Sequence, residues 1–338
     1  MVSVIPFSER LKWPEPLVYD GGFGSQLFAH GVELTNSTLA NDLHPEKVVD
    51  IHTAYIEAGA DAIGTNTFVA SSLHLEMAGW EGDDADKIAR LGAEHARAAV
   101  ERSGKEVYVA GSIGPSPGAI EADAGDVDFG IPNESVRQAH ERVIHALAES
   151  GVDFFCIETM FSAKEASIAV DIARKTGIPI AVNLTYKYTK NRKTGEPLYR
   201  TDWGDSAGSL LDILTKGELA DGDNLLESVD ILGLNCGAEA NHSEHTGMPY
   251  AIRGTQQIFR ELEVRGIESK KLMAYPNAGL PKLDRQTKKT FYSQSAEEMA
   301  GQMDELLAAG ALIVGGCCGT GPDHIRAFRS AVDHASDS

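Results

Sequence analysis

Cysteine is scarce in this 338-residue chain, which contains only four. Four are too few for a disulfide framework in a chain of this length, and Cys317 and Cys318 are adjacent, so they could bridge each other only with strain. No apolar run approaches the roughly 18 residues that a membrane helix needs. The start, MVSVIPFSERLKWPEP, has charges and prolines where a signal peptide would be apolar. We therefore expect a cytoplasmic protein whose clustered thiols bind a metal or act in catalysis.

Basic residues are also few. Lys and Arg number 30 against 50 Asp and Glu, which gives a formal charge of −20. A chain this acidic repels both the phosphates of nucleic acids and an anionic membrane surface. Hydrophobic residues make up 42% of the chain, which is enough for a large core. The composition predicts a globular protein with no nucleic-acid or membrane partner.

What the chain does contain is a regular alternation of apolar and helical segments. Strands are predicted over 17–22, 61–68, 107–115, 152–159, 179–186, 229–237, 271–279 and 311–319. Helices are predicted between and after them over 45–59, 84–104, 133–151, 162–177, 250–266, 295–310 and 321–335. Parallel strands need such crossover helices. Eight units favour one (β/α)₈ barrel domain spanning residues 1–338 over the alternative, an open doubly wound sheet.

One connection is much longer than the others. Residues 187–228, between the fifth and sixth predicted strands, begin with a polar, turn-rich stretch. Connections of this length are usually functional or disordered. The sequence leaves two interpretations open: a lid or hairpin over the barrel mouth, and a mobile excursion.

Polar side chains follow most of the predicted strands at the point where each strand ends. Catalytic groups of such barrels lie at these carboxyl ends. The positions are Asp20, Gly21 and Gly22; Asn66 and Thr67; Ser112; Glu158 and Thr159; Asn183; Asn235 and Cys236; Asn277; and Cys317 and Cys318. Polar groups next to apolar strands are costly unless they are paired, so their convergence predicts an active site at one rim.

Three of the four cysteines lie at the ends of two predicted strands. Cys236 ends the sixth, and Cys317 and Cys318 end the eighth. Three thiolates can hold Zn²⁺ and leave its fourth position open for a substrate thiol. The alternatives are a buried turn of small residues, a phosphate cradle and a structural zinc clasp. Cys156 lies within the fourth strand and is interpreted as a core residue.

Glu158 is the strongest carboxylate candidate, because it ends the apolar run FFCI. It could hold a substrate ammonium, or it could form a structural ion pair. Asp20 has a similar claim, and the glycines after it offer backbone N–H groups for a substrate carboxylate. An ammonium holder, a carboxylate cradle and a thiol-binding zinc together predict a site for an amino acid that carries a thiol.

Several motifs extend this interpretation to a family. They are DGGFGSQL (20–27), AGADAIGTNTF (58–68), GSIGP (111–115), ET followed by EA (158–159 and 165–166), GLNC (233–236) and GGCCGTGPDHI (315–325). Together they resemble the homocysteine S-methyltransferase family from about Asp20 to Arg326. That family includes the homocysteine module of cobalamin-dependent methionine synthase, betaine–homocysteine methyltransferase and S-methylmethionine-dependent enzymes. The spaced pair GLNC and GGCCG is the most specific part of the resemblance.

The resemblance implies a zinc-dependent methyltransferase with a (β/α)₈ fold. Cys236, Cys317 and Cys318 would hold Zn²⁺, and Glu158 would bind the homocysteine ammonium with help from Asp20. The zinc-bound thiolate would attack a methyl group of an activated donor, such as betaine or S-methylmethionine, and give methionine. Further substrate-binding positions implied are Gly21, Gly22 and Ser112 for the carboxylate, Asn66 and Thr67 in the pocket wall, and Asn235 beside the zinc.

The methyl donor is left open by the sequence. YPNAGLP (275–281) resembles the methionine-synthase module, yet no Asp-x-His-x-x-Gly corrinoid signature is present. The chain could therefore use a free onium donor, accept methyl from a separate corrinoid protein, or methylate another thiol or selenol. The aromatic residues Phe23, Phe161, Tyr186 and Trp203 could form a donor cage or ordinary packing. His242 and His245 are interpreted as exposed loop residues rather than metal ligands.

Overall fold

The computed structural model describes residues 5–237, 242–283, 285 and 290–336. Eight parallel strands form its central sheet. We number them β1 (Leu17–Val18), β2 (Ala62–Gly64), β3 (Tyr108–Ile113), β4 (Phe154–Met160), β5 (Ile180–Leu184), β6 (Ile231–Cys236), β7 (Lys271–Pro276) and β8 (Ala311–Val314). The hydrogen-bonded order is β1-β8-β7-β6-β5-β4-β3-β2, and a bridge between Tyr19 and Ala62 joins the two ends. The predicted barrel is confirmed as nearly closed, and the open doubly wound alternative is wrong.

A helix follows every barrel strand. In chain order these helices are Pro45–Glu57, Ala85–Ser103, Asn133–Glu149, Ala163–Ala173, Ala207–Lys216, Met248–Val264, Met303–Ala308 and Pro322–Ser336. Shorter α-helices span Phe7–Arg10, Phe23–Ala29, Ala40–Leu43, Ser72–Met77, Glu121–Ala124 and Ala296–Ala300, and 3₁₀ turns span Ser37–Leu39, Gly82–Asp84, Arg174–Thr176, Leu225–Ser228 and Ser243–His245. The helix predicted over 295–310 is in fact two, since the chain leaves helical geometry around Gly301 and Gln302. Glycine is a poor helix former, which suits a break there.

Side-chain alternation in the strands separates two apolar layers. In β4, Phe154 and Cys156 point into the barrel, whereas Phe155 and Ile157 pack towards the helices. Phe7 stacks on Phe154 with ring centroids 4.1 Å apart, so the first helix covers the amino-terminal end of the barrel. Cys156 is fully buried, as predicted for a core residue. The opposite, carboxyl-terminal end is left for the polar residues.

The long connection after β5 is an ordered excursion. It contains an antiparallel hairpin of Lys187–Lys190 with Pro197–Arg200, followed by the barrel helix Ala207–Lys216. The Tyr188 ring stacks on His245 at 3.6 Å, and the Tyr199 hydroxyl lies 2.8 Å from Nδ1 of His245. The hairpin is thereby held against the loop that follows β6. The prediction of an exposed His245 is wrong, because these two tyrosines cover it.

Within the described ranges, no helix combines the length and the apolarity needed to cross a membrane.

Candidate metal and substrate site

The barrel brings the three thiols predicted as metal ligands to one point. The sulfur atoms of Cys236, Cys317 and Cys318 all lie within 4.8 Å of one another. Tetrahedral zinc with Zn–S bonds of about 2.3 Å needs sulfurs about 3.8 Å apart, so a small inward movement would close the set around an ion. In the part of the chain that the structure describes, no other group of three His, Cys, Asp or Glu side chains is gathered in this way. The donor set therefore fits a thiophilic metal ion.

The end of β7 fixes both cysteine-bearing segments. The Asn277 N–H donates to the Cys236 carbonyl at 2.9 Å, and the Cys317 N–H donates to the Pro276 carbonyl at 2.8 Å. The Asn277 side chain accepts from the Cys318 N–H at 3.1 Å. Asn277 was expected only as one of the polar strand ends, and its role as a clamp between two cysteine loops is visible only in the structure.

The glycines after β1 allow the metal loop to approach closely. A Cβ atom on Gly22 would lie 2.5 Å from the Cys317 carbonyl oxygen, closer than any real contact of that kind. The Gly22 N–H donates to the Thr320 hydroxyl at 3.1 Å, and that hydroxyl donates to the Cys317 carbonyl at 2.7 Å. The DGG segment therefore supports the cysteine loop, a role that the sequence did not indicate.

The thiols affect one another's ionisation. The pKa of Cys318 lies well below its ordinary range because the Cys236 and Cys317 thiols hydrogen-bond to its sulfur. The pKa of Cys317 lies well above its ordinary range, since its hydrogen bonds with the same two neighbours favour the protonated form. The ionisation of one thiol therefore opposes that of its neighbours, and a bound cation would favour the thiolate form of all three.

Tyr292 contacts the loop that carries Cys317 and Cys318. It ends the hairpin of Pro281–Leu283 with Thr290–Tyr292, which lies between β7 and β8. Its hydroxyl hydrogen-bonds to Cys318, and its ring lies so close to Gly319 that a Cβ there would be 2.2 Å from a ring carbon. The segment TFYSQS was noticed in the sequence, but nothing in it distinguished this tyrosine.

Glu158 lies at the same rim, at the end of β4. Its carboxylate accepts hydrogen bonds from the Ser112 hydroxyl, from the Tyr275 hydroxyl at 3.1 Å and from the Asn235 amide at 3.4 Å. Burial raises its pKa to about 7, although the Ser112 and Tyr275 hydrogen bonds act in the opposite direction. Among the described residues no Lys, Arg or His forms an ion pair with this carboxylate. A cationic ligand beside it would restore its ionised form.

Asn235 connects Glu158 to the thiols. Its side-chain oxygen accepts from the Thr159 N–H at 2.7 Å, its amide donates to the Thr159 hydroxyl at 2.7 Å, and the amide nitrogen lies 3.9 Å from the Cys317 sulfur. Thr159 has a φ of 56°, a left-handed conformation that this bridge holds in place.

Replacement of Asn235 should affect both stability and metal affinity. Asn235→Ala leaves the buried Thr159 N–H without its partner, so the free energy of unfolding should fall by about 1–3 kcal/mol. Loss of a group that supports a metal ligand typically weakens metal binding about 10- to 100-fold. Urea unfolding and metal titration measure the two effects. Asn183→Ala is the matched control, because the Asn183 amide lies 3.5 Å from the Cys156 sulfur, away from the cluster. Equal metal affinity in both variants would contradict the connecting role.

The remaining predicted residues are close by but already have partners. Asp20 is buried, accepts the Gly64 N–H at 2.8 Å, and has a pKa raised by burial. The Asn66 amide donates to Asn41 at 2.9 Å, and the Thr67 hydroxyl donates to the Ser112 carbonyl at 2.6 Å. Their roles towards a substrate stay predictions.

The barrel of eight β/α units carries at its mouth three gathered thiols that fit a metal ion and a half-buried carboxylate, a combination typical of metal-dependent enzymes. The particular family follows from sequence comparison. The family model described as "Homocysteine S-methyltransferase" matches residues 17–332. The chain therefore belongs to the homocysteine S-methyltransferase family, and it is an enzyme of that class, as the motifs predicted.

Individual relatives agree with this assignment. Homocysteine S-methyltransferase 4 of Zea mays is 28% identical over 341 residues, which cover 94% of this chain and 90% of that protein. The methionine synthase of Mycobacterium tuberculosis is 29% identical over 338 residues, but these cover only 24% of that much longer protein. The metallated crystal structure of the homocysteine methyltransferase MmuM from Escherichia coli superposes with a TM-score of 0.69 at 20% identity, over 96% of this chain and 99% of that one. This structural likeness shows the shared fold.

Proposed function

We propose that this enzyme transfers a methyl group from a small onium compound to the thiol of homocysteine and forms methionine. The proposal is supported above all by one juxtaposition. Three sulfurs lie within 4.8 Å of one another, and the Asn235 side chain connects them to the Glu158 carboxylate, which has hydrogen bonds but no ion pair among the described residues. A bound zinc ion would lower the pKa of the homocysteine thiol, so that the thiol reacts as a thiolate at neutral pH.

In this proposal, Glu158 binds the ammonium group of homocysteine. Tyr275 and Ser112 donate to its two carboxylate oxygens, Oε2 and Oε1 respectively, and so fix the direction of the carboxylate. Asp20, whose pKa is raised in part by the charge of Glu158, would assist as a second acceptor. Anchoring the ammonium end and the sulfur end at fixed points aligns the thiol for in-line attack on a methyl group, which is the main source of rate acceleration here.

The carboxylate end of homocysteine is assigned to the DGG segment. Gly21 and Gly22 carry backbone N–H groups near the rim, while Asn66 and Thr67 contribute to the pocket wall. The Gly22 N–H donates to the Thr320 hydroxyl and the Ser112 hydroxyl donates to Glu158, so each must change partner to bind the substrate carboxylate.

Methionine formation by the zinc-loaded protein tests the proposal. Homocysteine would be supplied with betaine, S-methylmethionine, S-adenosylmethionine, dimethylsulfoniopropionate or methylcobalamin in turn. Turnover with one of the onium compounds supports the proposal and identifies the donor. A strong preference for homocysteine over other thiols and selenols would exclude a different acceptor.

A second candidate is an acceptor module that receives methyl from a separate corrinoid protein. It is favoured by the similarity to a quarter of a methionine synthase. An absence of methionine formation with every free donor, together with stoichiometric zinc and tight homocysteine binding, would support this candidate and contradict the first.

A further inference from the structure

A cleft of about 270 Å³ opens among the loops at the carboxyl ends of the barrel strands. It lies between the loops that follow β3, β4 and β5, and we call it the acidic cleft. Three carboxylates and two aromatic rings line it, namely Asp123, Glu165, Asp202, Phe161 and Trp203. None of the site residues predicted from the sequence lines it, and the two rings were considered there only as walls of a cage or as packing.

Among the described residues, the Asp123 carboxylate has one oxygen without a hydrogen-bond partner. Its side chain is only 3% exposed, its Oδ1 atom lies 3.6 Å from Nζ of Lys164, and its Oδ2 atom has no hydrogen-bond partner within the described residues. Burial raises its pKa, although the Ser162 hydroxyl and Lys164 act in the opposite direction. A buried carboxylate oxygen without a partner is costly, so the position favours a cationic ligand that would satisfy it.

The other two carboxylates lie closer to their partners than Asp123 lies to Lys164. Glu165 accepts the Ser116 N–H at 2.6 Å and lies 3.0 Å from Nε2 of His140. Asp202 pairs with Lys187 at 2.7 Å. Their charges add to the negative potential of the cleft, but the free oxygen belongs to Asp123.

The two exposed rings favour an organic ligand. Phe161 is 38% exposed and Trp203 is 45% exposed, although both are large and apolar. Aromatic faces next to a carboxylate attract methylated ammonium and sulfonium groups, whereas a bare metal ion would be better served by oxygen atoms alone.

The walls of the cleft are held in place. The Asp205 carboxylate accepts the Ala163 N–H at 2.9 Å, and the Thr201 N–H donates to the Asp205 carbonyl at 2.9 Å. The turn that carries Asp202 and Trp203 is therefore fixed to the helix after β4. The long connection after β5 thereby forms part of the wall of the cleft.

Residues of the cleft and of the proposed substrate site are close in sequence. Ser116 lies four residues beyond Ser112, and Phe161 lies three residues beyond Glu158. Both strands that carry the proposed ammonium site thus continue into the wall of the cleft.

From these contacts we propose that the acidic cleft binds a small organic cation with a methylated ammonium or sulfonium centre, held by the free Asp123 oxygen and the faces of Trp203 and Phe161. Its natural occupant is the cationic end of the methyl donor, a step that rests on the proposed function. The binding property itself is independent of turnover.

Binding of choline, compared with its uncharged isostere 3,3-dimethylbutan-1-ol, tests the proposal on the zinc-loaded protein without homocysteine. Calorimetry and the Trp203 fluorescence should show choline binding and at least about tenfold weaker binding of the isostere. Asp123→Asn and Trp203→Leu should each weaken choline about tenfold. Asp128→Asn, an exposed residue of the same loop, and Trp13→Leu are matched controls and should leave choline binding unchanged.

A stability measurement separates a binding role from a structural one. Asp123→Asn keeps the shape of the side chain and removes a charge that burial disfavours and that Ser162 and Lys164 favour, so its Tm should stay close to that of the natural chain. A lower Tm with unchanged choline binding would overturn the proposal, as would equal binding of choline and its isostere.

Kinetics then separate failure of the cleft from failure of the proposed function. With an active onium donor, Asp123→Asn should raise the KM of the donor about tenfold and leave the KM of homocysteine unchanged. Turnover with an unaltered donor KM would overturn the assignment of the cleft and leave the proposed function standing. Choline binding that depends on Asp123, in a protein that turns over no onium donor, would support the cleft and contradict the proposed function.

Discussion

Cys318→Ser should bind zinc more than about 100-fold more weakly than the natural chain and lose methyl transfer, while the protein stays folded. Loss of a group that merely supports a ligand costs about 10- to 100-fold in metal affinity, so loss of one of three thiolates should exceed that. The hydrogen bonds from the Cys236 and Cys317 thiols also lower the pKa of Cys318, which favours its thiolate form. The fold should persist, since the cysteines lie at the rim and the core beneath them is apolar.

Zinc content after gel filtration and competition with a chromophoric chelator measure the effect. The same substitution at the fourth cysteine, Cys156→Ser, is the matched control. Cys156 is buried inside the barrel, 3.2 Å from the Tyr275 hydroxyl, and a serine there keeps a hydrogen-bonding partner. Natural zinc affinity is expected in this control. If Cys318→Ser unfolds as well as losing zinc, the cluster is a structural clasp instead.

The barrel could be predicted because its signal is repeated eight times along the chain. Each strand is a short apolar run and each crossover an amphipathic helix, so an error in one boundary does not change the unit count. The gathering of the cysteines could be predicted because parallel strands all end at the same rim. Cys236 and Cys317 end strands that are two positions apart, so their thiols can reach one point, and the structure confirms that they do.

Contacts between distant loops could not be predicted in this way. The Tyr275 hydroxyl reaches Glu158 across 117 positions of sequence, and a tyrosine within an apolar strand has the pattern of a core residue. The burial of His245 likewise depends on a hairpin that begins 58 residues earlier and supplies the ring that stacks on it. Such pairings depend on how loops of irregular length fold back, and loop sequences lack the periodicity that marks strands and helices.

Glu158→Gln should weaken homocysteine binding about 10- to 100-fold without lowering the zinc content. Glutamine has nearly the same shape, so its amide oxygen can accept from one of the Ser112 and Tyr275 hydroxyls, and the other hydroxyl can turn to accept from the amide NH2 group. What is lost is the negative charge, and a hydrogen bond to a charged group contributes about 1.5–3 kcal/mol. Zinc should be retained, because the carboxylate is not among the three sulfur donors. Calorimetric titration of the zinc-loaded variant with homocysteine measures the change.

A homocysteine analogue without the ammonium group tests whether Glu158 is the residue that binds this group. 4-Sulfanylbutanoate keeps the thiol and the carboxylate of homocysteine but has no amino group. The natural chain should prefer homocysteine over this analogue, whereas Glu158→Gln should bind the two with equal affinity, because variant and analogue remove opposite partners of one pair. A general loss of structure would weaken both ligands and preserve the preference. A Glu158→Gln protein that still prefers homocysteine would place the ammonium group elsewhere, and Asp20, whose carboxylate interacts with the charge of Glu158, would be the next residue to replace.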